Sequence, residues 1–270
     1  MQTALPVERI ARWPRTWSSE AIQRAAIFAA SLACALVGWT LLAWWVGKPA
    51  FLPSPMKTFE GAIELVRNGD LQADIAVSFT RIIVGFALGT LIGIPLGLLM
   101  GMSPLVRTFM DPYVEFFRFI PPIAFVSLAV IWFGLGETSK IVLIIYTTVF
   151  MVAINTMIGV LGVEPDKRFA ALCLGASERQ VFLHVIIPAV IPNILTGMKI
   201  AMGNSFMTVV SAEMVAAKSG IGFLIFNSRL FLLTEWIFVG IITLGVMGFI
   251  TDRALRILAT TLLKRYDVRV

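Results

Sequence analysis

The sequence predicts an all-α membrane protein with six transmembrane helices. Three observations carry that expectation. The 270 residues are 58% hydrophobic and only 14% charged, where soluble domains carry about 25% charge. The mean hydropathy is +0.89. Apolar stretches long enough to cross roughly 30 Å of hydrocarbon recur along the chain.

Those stretches lie at residues 25–46, 79–102, 119–133, 139–161, 192–212 and 236–258. The first follows a basic N-terminus, but it is too long for a signal-peptide core and no small-residue cleavage site follows it, so it is expected to be a retained span. The third is the shortest. Pro121 and Pro122 interrupt it, and a start within 112–119 is open. An even number of spans places both termini on one side. The set made of the N-terminus, the loops near 103–118 and 163–189 and the C-terminus carries Arg9, Arg12, Arg15, Arg24, Arg107, Arg118, Lys167, Arg168, Arg179, Arg253, Arg256, Lys264, Arg265 and Arg269. The opposite set carries Lys48, Lys57, Arg67, Lys140, Lys218 and Arg229. The richer set is expected to be cytoplasmic.

The same rule accounts for the net charge of +6 without nucleic acid. Cys34 and Cys173 have no spacing for a disulfide framework or zinc site, and His184 is the single histidine. Both cysteines are expected to be reduced and structural, and no metal is expected.

Within this frame, residues 1–24 form an N-terminal cytoplasmic or interfacial elbow, in which Arg9, Arg12 and Arg15 interleave with Ile10, Trp13 and Trp17. Residues 25–262 form the transmembrane domain and 263–270 a cytoplasmic tail. Between spans one and two, Ser54 and Pro55 start a short amphipathic helix whose apolar positions are Met56, Phe59, Ile63 and Val66, and Asn68 and Gly69 stop it. Span two carries Gly85, Gly89, Gly93, Gly97 and Gly101 at intervals of four, a face without side chains. Such a groove receives another helix or lines a pore, and small residues at this spacing favour packing. Pro95 is expected to add a kink.

The loop at 164–190 is longer and more patterned than a connection needs. Pro165 stands at a first helical position with Asp166 in the first turn, Phe169, Leu172 and Cys173 share one face, and Gly175 ends the helix. Ser177 and Gln180 form a capping-box pattern, predicting a second helix from Glu178 to Ile187 that Pro188 stops. Its apolar face is Val181, Phe182, Val185 and Ile186. Two short helices joined at a glycine corner make a knob for a partner, or an amphipathic hairpin resting on the bilayer.

Ala170 and Ala171, then Gly175, then Val185 to Pro188 resemble the signature of ABC importer permeases: Glu-Ala-Ala, three residues, Gly, nine residues, Ile-x-Leu-Pro. Phe169 replaces the glutamate, and Val185 and Ile187 are aliphatic exchanges. Residues 78–93, 100–122 and 131–140 are similar to the taurine, aliphatic sulfonate and nitrate (bicarbonate) branch, which is itself loose at the glutamate position. The resemblance implies a type I ABC importer transmembrane domain with cytoplasmic coupling helices in a bacterial inner membrane. It implies a second permease copy in a homodimer, two ABC ATPase subunits and a periplasmic solute-binding protein as partners. Ala170, Ala171, Gly175, Ala176, Ser177, Glu178, Phe182 and Pro188 would contact the ATPase. No cofactor is expected in this chain, since ATP and Mg would be bound by the partner.

No G-x-x-x-x-G-K-[ST], H-E-x-x-H or G-x-S-x-G run occurs, so energy must come from another polypeptide and no hydrolase is supported. For the route, Asn204, Ser205, Thr208 and Ser211 form a polar stripe on span five. It faces a central path, or its hydroxyls bond to their own helix and glue neighbouring spans. Glu213 beyond it reads as a gate or a solvated terminus. Arg118 attracts an anion or anchors to lipid phosphate, and Arg81 reads as an interfacial anchor. An ion-gradient-driven secondary transporter would need ionisable groups deep in the spans and related halves, and neither is evident. A non-transporting scaffold is the third class, against which the stripe argues.

Overall fold

A computed structural model of the chain describes residues 17–263 and contains no strand among them. The elbow residues Arg9, Ile10, Arg12, Trp13 and Arg15, and the tail residues Lys264, Arg265 and Arg269, lie outside the described residues. The chain divides into two compact units, residues 1–56 and 57–270. In the first, α1 (Trp17–Val46) is long and apolar enough to cross a membrane from Ile22 onward.

The second unit holds most of α2 (Pro55–Asn68), then α3 (Asp70–Met102), α4 (Pro104–Arg118), a 3-10 turn (Pro122–Phe125), α5 (Val126–Phe133) and α6 (Glu137–Leu161). It continues with α7 (Pro165–Cys173), α8 (Glu178–Val181), a π turn (Phe182–Ile186), α9 (Ile187–Ala216), α10 (Ile221–Leu230) and α11 (Thr234–Leu263). Besides α1, the stretches 70–102, 137–161, 178–216 and 234–257 are long and apolar enough to span. Gly69, at φ +82, separates α2 from α3.

The third expected span is not one helix. Residues 104–118 and 122–133 meet at 89°. Pro121 and Pro122 lack the N–H groups that would have continued the helical ladder, so the chain turns there. Most of what was expected to be a loop at 103–118 is α4, capped by Ser103, whose Oγ accepts from the Val106 N–H.

The second helix of the 164–190 loop does not stop at Pro188 either. It runs through the π turn into α9, one stretch from Glu178 to Ala216 that includes Pro192. In a regular turn the Pro188 ring would meet the His184 carbonyl. Widening the preceding turn, where the Ile187 N–H bonds the Phe182 carbonyl, lets the helix pass. Pro95 likewise lies inside a continuous α3.

The core is a sandwich of α3, α6 and α9. An added Cβ at Gly85, Gly89, Gly93, Gly97 or Gly101 would lie 2.5–2.9 Å from the Cβ of Ile144, Thr148, Val152, Thr156 or Val160 respectively. Two stripes with the same four-residue period therefore interlock, β-branched residues of α6 seated on bare backbone of α3. On its other side α6 meets α9, where Gly197 faces the Cβ of Asn155 and Gly159 that of Asn193. Ile82, Phe86, Ile144, Val152, Ala201, Met202 and Val209 fill the centre.

Candidate functional site

The 164–190 loop builds a rigid corner from local interactions. At the end of α7, the Leu174 N–H bonds the Ala170 carbonyl and the Ala176 N–H bonds that of Ala171. This closure needs the left-handed backbone of Gly175, φ +86. Ser177 Oγ accepts from the Gln180 N–H, and Gln180 Oε1 accepts from the Ser177 N–H at 2.8 Å, a closed capping box. Val181 and Ile186 are buried, and Ala171, Leu172, Ala176, Phe182 and Val185 pack around them against Leu98 of α3 and Val160 of α6.

Ala170, Gly175, Ser177 and Glu178 remain exposed, and Pro188 is half-buried. Arg168 and Glu178 pair at 3.2 Å across the corner. Phe169 does not share the buried face of Leu172. It is 61% exposed, as is Leu174 at 88%, so the corner presents apolar side chains outward. Cys34 and Cys173 are free and exposed. Among the described residues, no three metal-ligating side chains cluster.

A second feature is a half-open cavity of about 400 Å3 between the α4–α5 break, α6 and α9. It is lined by Arg118, the backbone turn at Phe119 to Pro122, Tyr146, Thr147 and the α9 residues Asn204, Met207, Thr208 and Ser211. The stripe thus divides. Asn204, Thr208 and Ser211 reach the cavity, although Thr208 and Ser211 also donate to the carbonyls of Asn204 and Met207. Ser205 points the other way, fully buried against Thr148 Oγ1 at 3.2 Å. Arg118 is the one charged side chain lining the cavity among the described residues. Its guanidinium lies over the Phe119 ring, 4.7 Å from the centroid.

Glu213 is neither in this cavity nor a solvated terminus. It is fully buried and accepts from Ser78 Oγ at 2.8 Å, Arg81 Nη1 at 2.7 Å and the Gly222 N–H at 2.8 Å. Arg81 is likewise no interfacial anchor. It is 2% exposed and also grips Glu137 with Nε and Nη2, the latter at 2.6 Å from Oε1. Burial of a charge is tolerated only where partners surround it, and here three spanning helices contribute them. The cluster extends to the segment before α10. Arg81 donates to the Ser219 carbonyl, Asp74 accepts from the Gly220 N–H, and Ser78 Oγ accepts from the Ile221 N–H. Gly220, at φ +114, leaves no room for a side chain, since its Cβ would lie 2.5 Å from the Glu213 carboxyl. Charge alone hinted at this cluster, in which Arg81 and the buried Lys140, 4.0 Å from Glu137, stand among Asp74, Glu137 and Glu213 near the ends of three different spans.

An exposed apolar corner and a polar cavity between spans, on a scaffold of interlocked apolar helices, are the features of a multi-pass membrane permease domain. The chain belongs to the family of binding-protein-dependent transport system inner membrane components, whose family model matches residues 89–264. It is 40% identical over 228 residues to the taurine transport system permease protein TauC of Escherichia coli (strain K12), with 82% of each chain covered. It is 33% identical to the nitrate import permease protein NrtB of Synechocystis sp., covering 83% of this chain and 84% of that one. A chain of the MetNI methionine ABC transporter, in inward-facing conformations, superposes with a TM-score of 0.57, covering 69% of this chain and 94% of its own. At 19% identity that likeness shows the fold alone, the transmembrane domain of a type I ABC importer.

Proposed function

We propose that this chain is the permease subunit of an ATP-driven importer of small anions. A sulfonate such as taurine is the first candidate and nitrate or bicarbonate the next. The observation that carries the anion assignment is the cavity in which Arg118, beside Asn204, Thr208 and Ser211, is the sole charge among the described residues. A lone cation at a low-dielectric wall raises the local concentration of anions and repels cations, and guanidinium matches the planar or tripodal oxygens of these solutes. The names of the relatives point to taurine and nitrate.

Two copies of the chain would enclose the route between their cavities. Two ABC ATPase subunits would dock on the corners around Gly175 and bind the ATP and Mg, and a periplasmic binding protein would deliver the solute. The distribution of Lys and Arg supports both termini being cytoplasmic in a bacterial inner membrane. The test is reconstitution. The purified chain alone is expected to hydrolyse no ATP, and the complex with its ATPase and binding protein to take up taurine at the expense of ATP. ATP turnover by the isolated chain, or ATP-independent uptake driven by a proton gradient, would overturn the proposal.

A further inference from the structure

The α4–α5 break removes backbone bonds of the helical ladder, and the Phe117 carbonyl is left with a tight-turn bond from the Ile120 N–H at 3.1 Å. In a continuing helix the N–H groups of residues 121 and 122 would bond the carbonyls of Phe117 and Arg118, but both residues are proline. Inside a membrane domain such carbonyls must find donors within the protein. The hydroxyl of Tyr146, from the middle of α6, lies 2.5 Å from the Phe117 carbonyl oxygen and 3.4 Å from that of Ile120. These two atoms bracket Arg118. The Tyr146 ring is held in turn, edge-on to Phe125 at 5.0 Å and to Phe150 at 5.2 Å. It also forms the partition between two spaces, the polar cavity with Arg118 on one side and a wholly apolar cavity of about 310 Å3 between α5 and α6 on the other.

We infer that Tyr146 is a positioning residue for transport: its hydroxyl donates to the Phe117 carbonyl beside Arg118, with the Ile120 carbonyl as a longer second acceptor, and so holds the guanidinium at the anion cavity. The inference rests on the proposed role of that cavity. Tyr146 itself has no need to touch the solute. What it supplies is the fixed end of α4, without which Arg118 follows a chain hinge that has lost its ladder bonds.

The test uses the assembled complex in proteoliposomes, with Tyr146→Phe, which removes one oxygen and keeps the ring packing, Arg118→Gln, and the two combined. Loss of one hydrogen bond corresponds to a change of about three- to tenfold. ATP-dependent taurine uptake is expected to fall by about that factor in Tyr146→Phe, and by at least as much in Arg118→Gln. In the Arg118→Gln background the tyrosine change is expected to cost less than twofold. A second readout needs no transport. With Cys34 and Cys173 replaced, a cysteine placed by Ser211→Cys reports local potential as its ratio of reaction with a sulfonate-bearing and a trimethylammonium-bearing thiol reagent. That ratio is expected to fall in both single variants and no further when they are combined. If Tyr146→Phe leaves uptake and ratio unchanged while Arg118→Gln lowers both, the positioning role is overturned and the anion cavity stands. If Tyr146→Phe costs the same factor in both backgrounds, it acts on structure and not through Arg118. If Arg118→Gln changes neither readout, the cavity reading and the positioning role fail together.

Discussion

Replacing Glu213 by alanine removes the only carboxylate that three buried groups share. Ser78 Oγ, Arg81 Nη1 and the Gly222 N–H all donate to it within 2.9 Å, and none of the residues involved is open to solvent. Stripping one partner from a buried ion pair costs about 3–5 kcal/mol. Arg81 keeps Glu137, whose side chain is 59% exposed, which places the ionic loss near the lower bound. The orphaned Gly222 N–H adds about 1 kcal/mol. The sum, roughly 4 kcal/mol, corresponds to about 10 °C in the unfolding temperature of a chain this size. Glu213→Gln keeps shape and an acceptor oxygen, so about half that loss is expected. The assay is thermal unfolding in detergent at one scan rate, because membrane-protein unfolding is commonly irreversible and the comparison must be kinetic. The double variant Arg81→Met with Glu213→Leu is expected to be more stable than the two single losses summed, since apolar groups replace a buried pair with little penalty. Unfolding of Glu213→Ala within 2 °C of the parent, or strict additivity in the double variant, would refute the view that this cluster binds three helices together.

Gly93→Leu is expected to abolish accumulation of folded protein, measured by monodisperse recovery after extraction, because even a Cβ at that position would lie 2.9 Å from the Val152 Cβ and from the Val149 carbonyl oxygen; Gly245→Leu, where nothing lies within 4 Å, serves as the tolerated control. At the corner around Gly175, Gly175→Trp meets no obstacle at its Cβ but loads a positive φ and a bulky ring onto the proposed docking surface. Co-purification of the ATPase and uptake are expected to be lost, while thermal stability drops by only about 1–2 kcal/mol, and survival of both would place the ATPase elsewhere.

The features legible in the sequence were those written in neighbouring residues. Hydropathy adds along a segment, so the spans at 79–102, 139–161 and 236–258 emerged close to α3, α6 and α11. The corner at Gly175 rests on hydrogen bonds between residues three to five apart, and the Ser177 and Gln180 box can be read directly from residue order. Residue pattern also exposed the bare face of span two, while its partner stripe, from Ile144 to Val160, escaped notice because threonine and β-branched apolar residues at intervals of four look like ordinary span composition.

What tertiary structure alone decided depends on how each helix is turned about its own axis. Ser205 and Thr208 belong to one polar stripe, yet Ser205 is enclosed against Thr148 of α6, while Thr208, 3.1 Å from Thr147 Oγ1, borders the cavity. Arg81 reads as a surface charge until Glu137, 56 positions away, and Glu213, 132 positions away, surround it. Whether a charge is solvated or buried is a sum over every neighbour in space, and local composition holds no record of those neighbours. The same is true of the α4–α5 break. Two prolines announced an interruption, but neither the 89° turn nor the Tyr146 hydroxyl of α6 on the Phe117 carbonyl can be read from them.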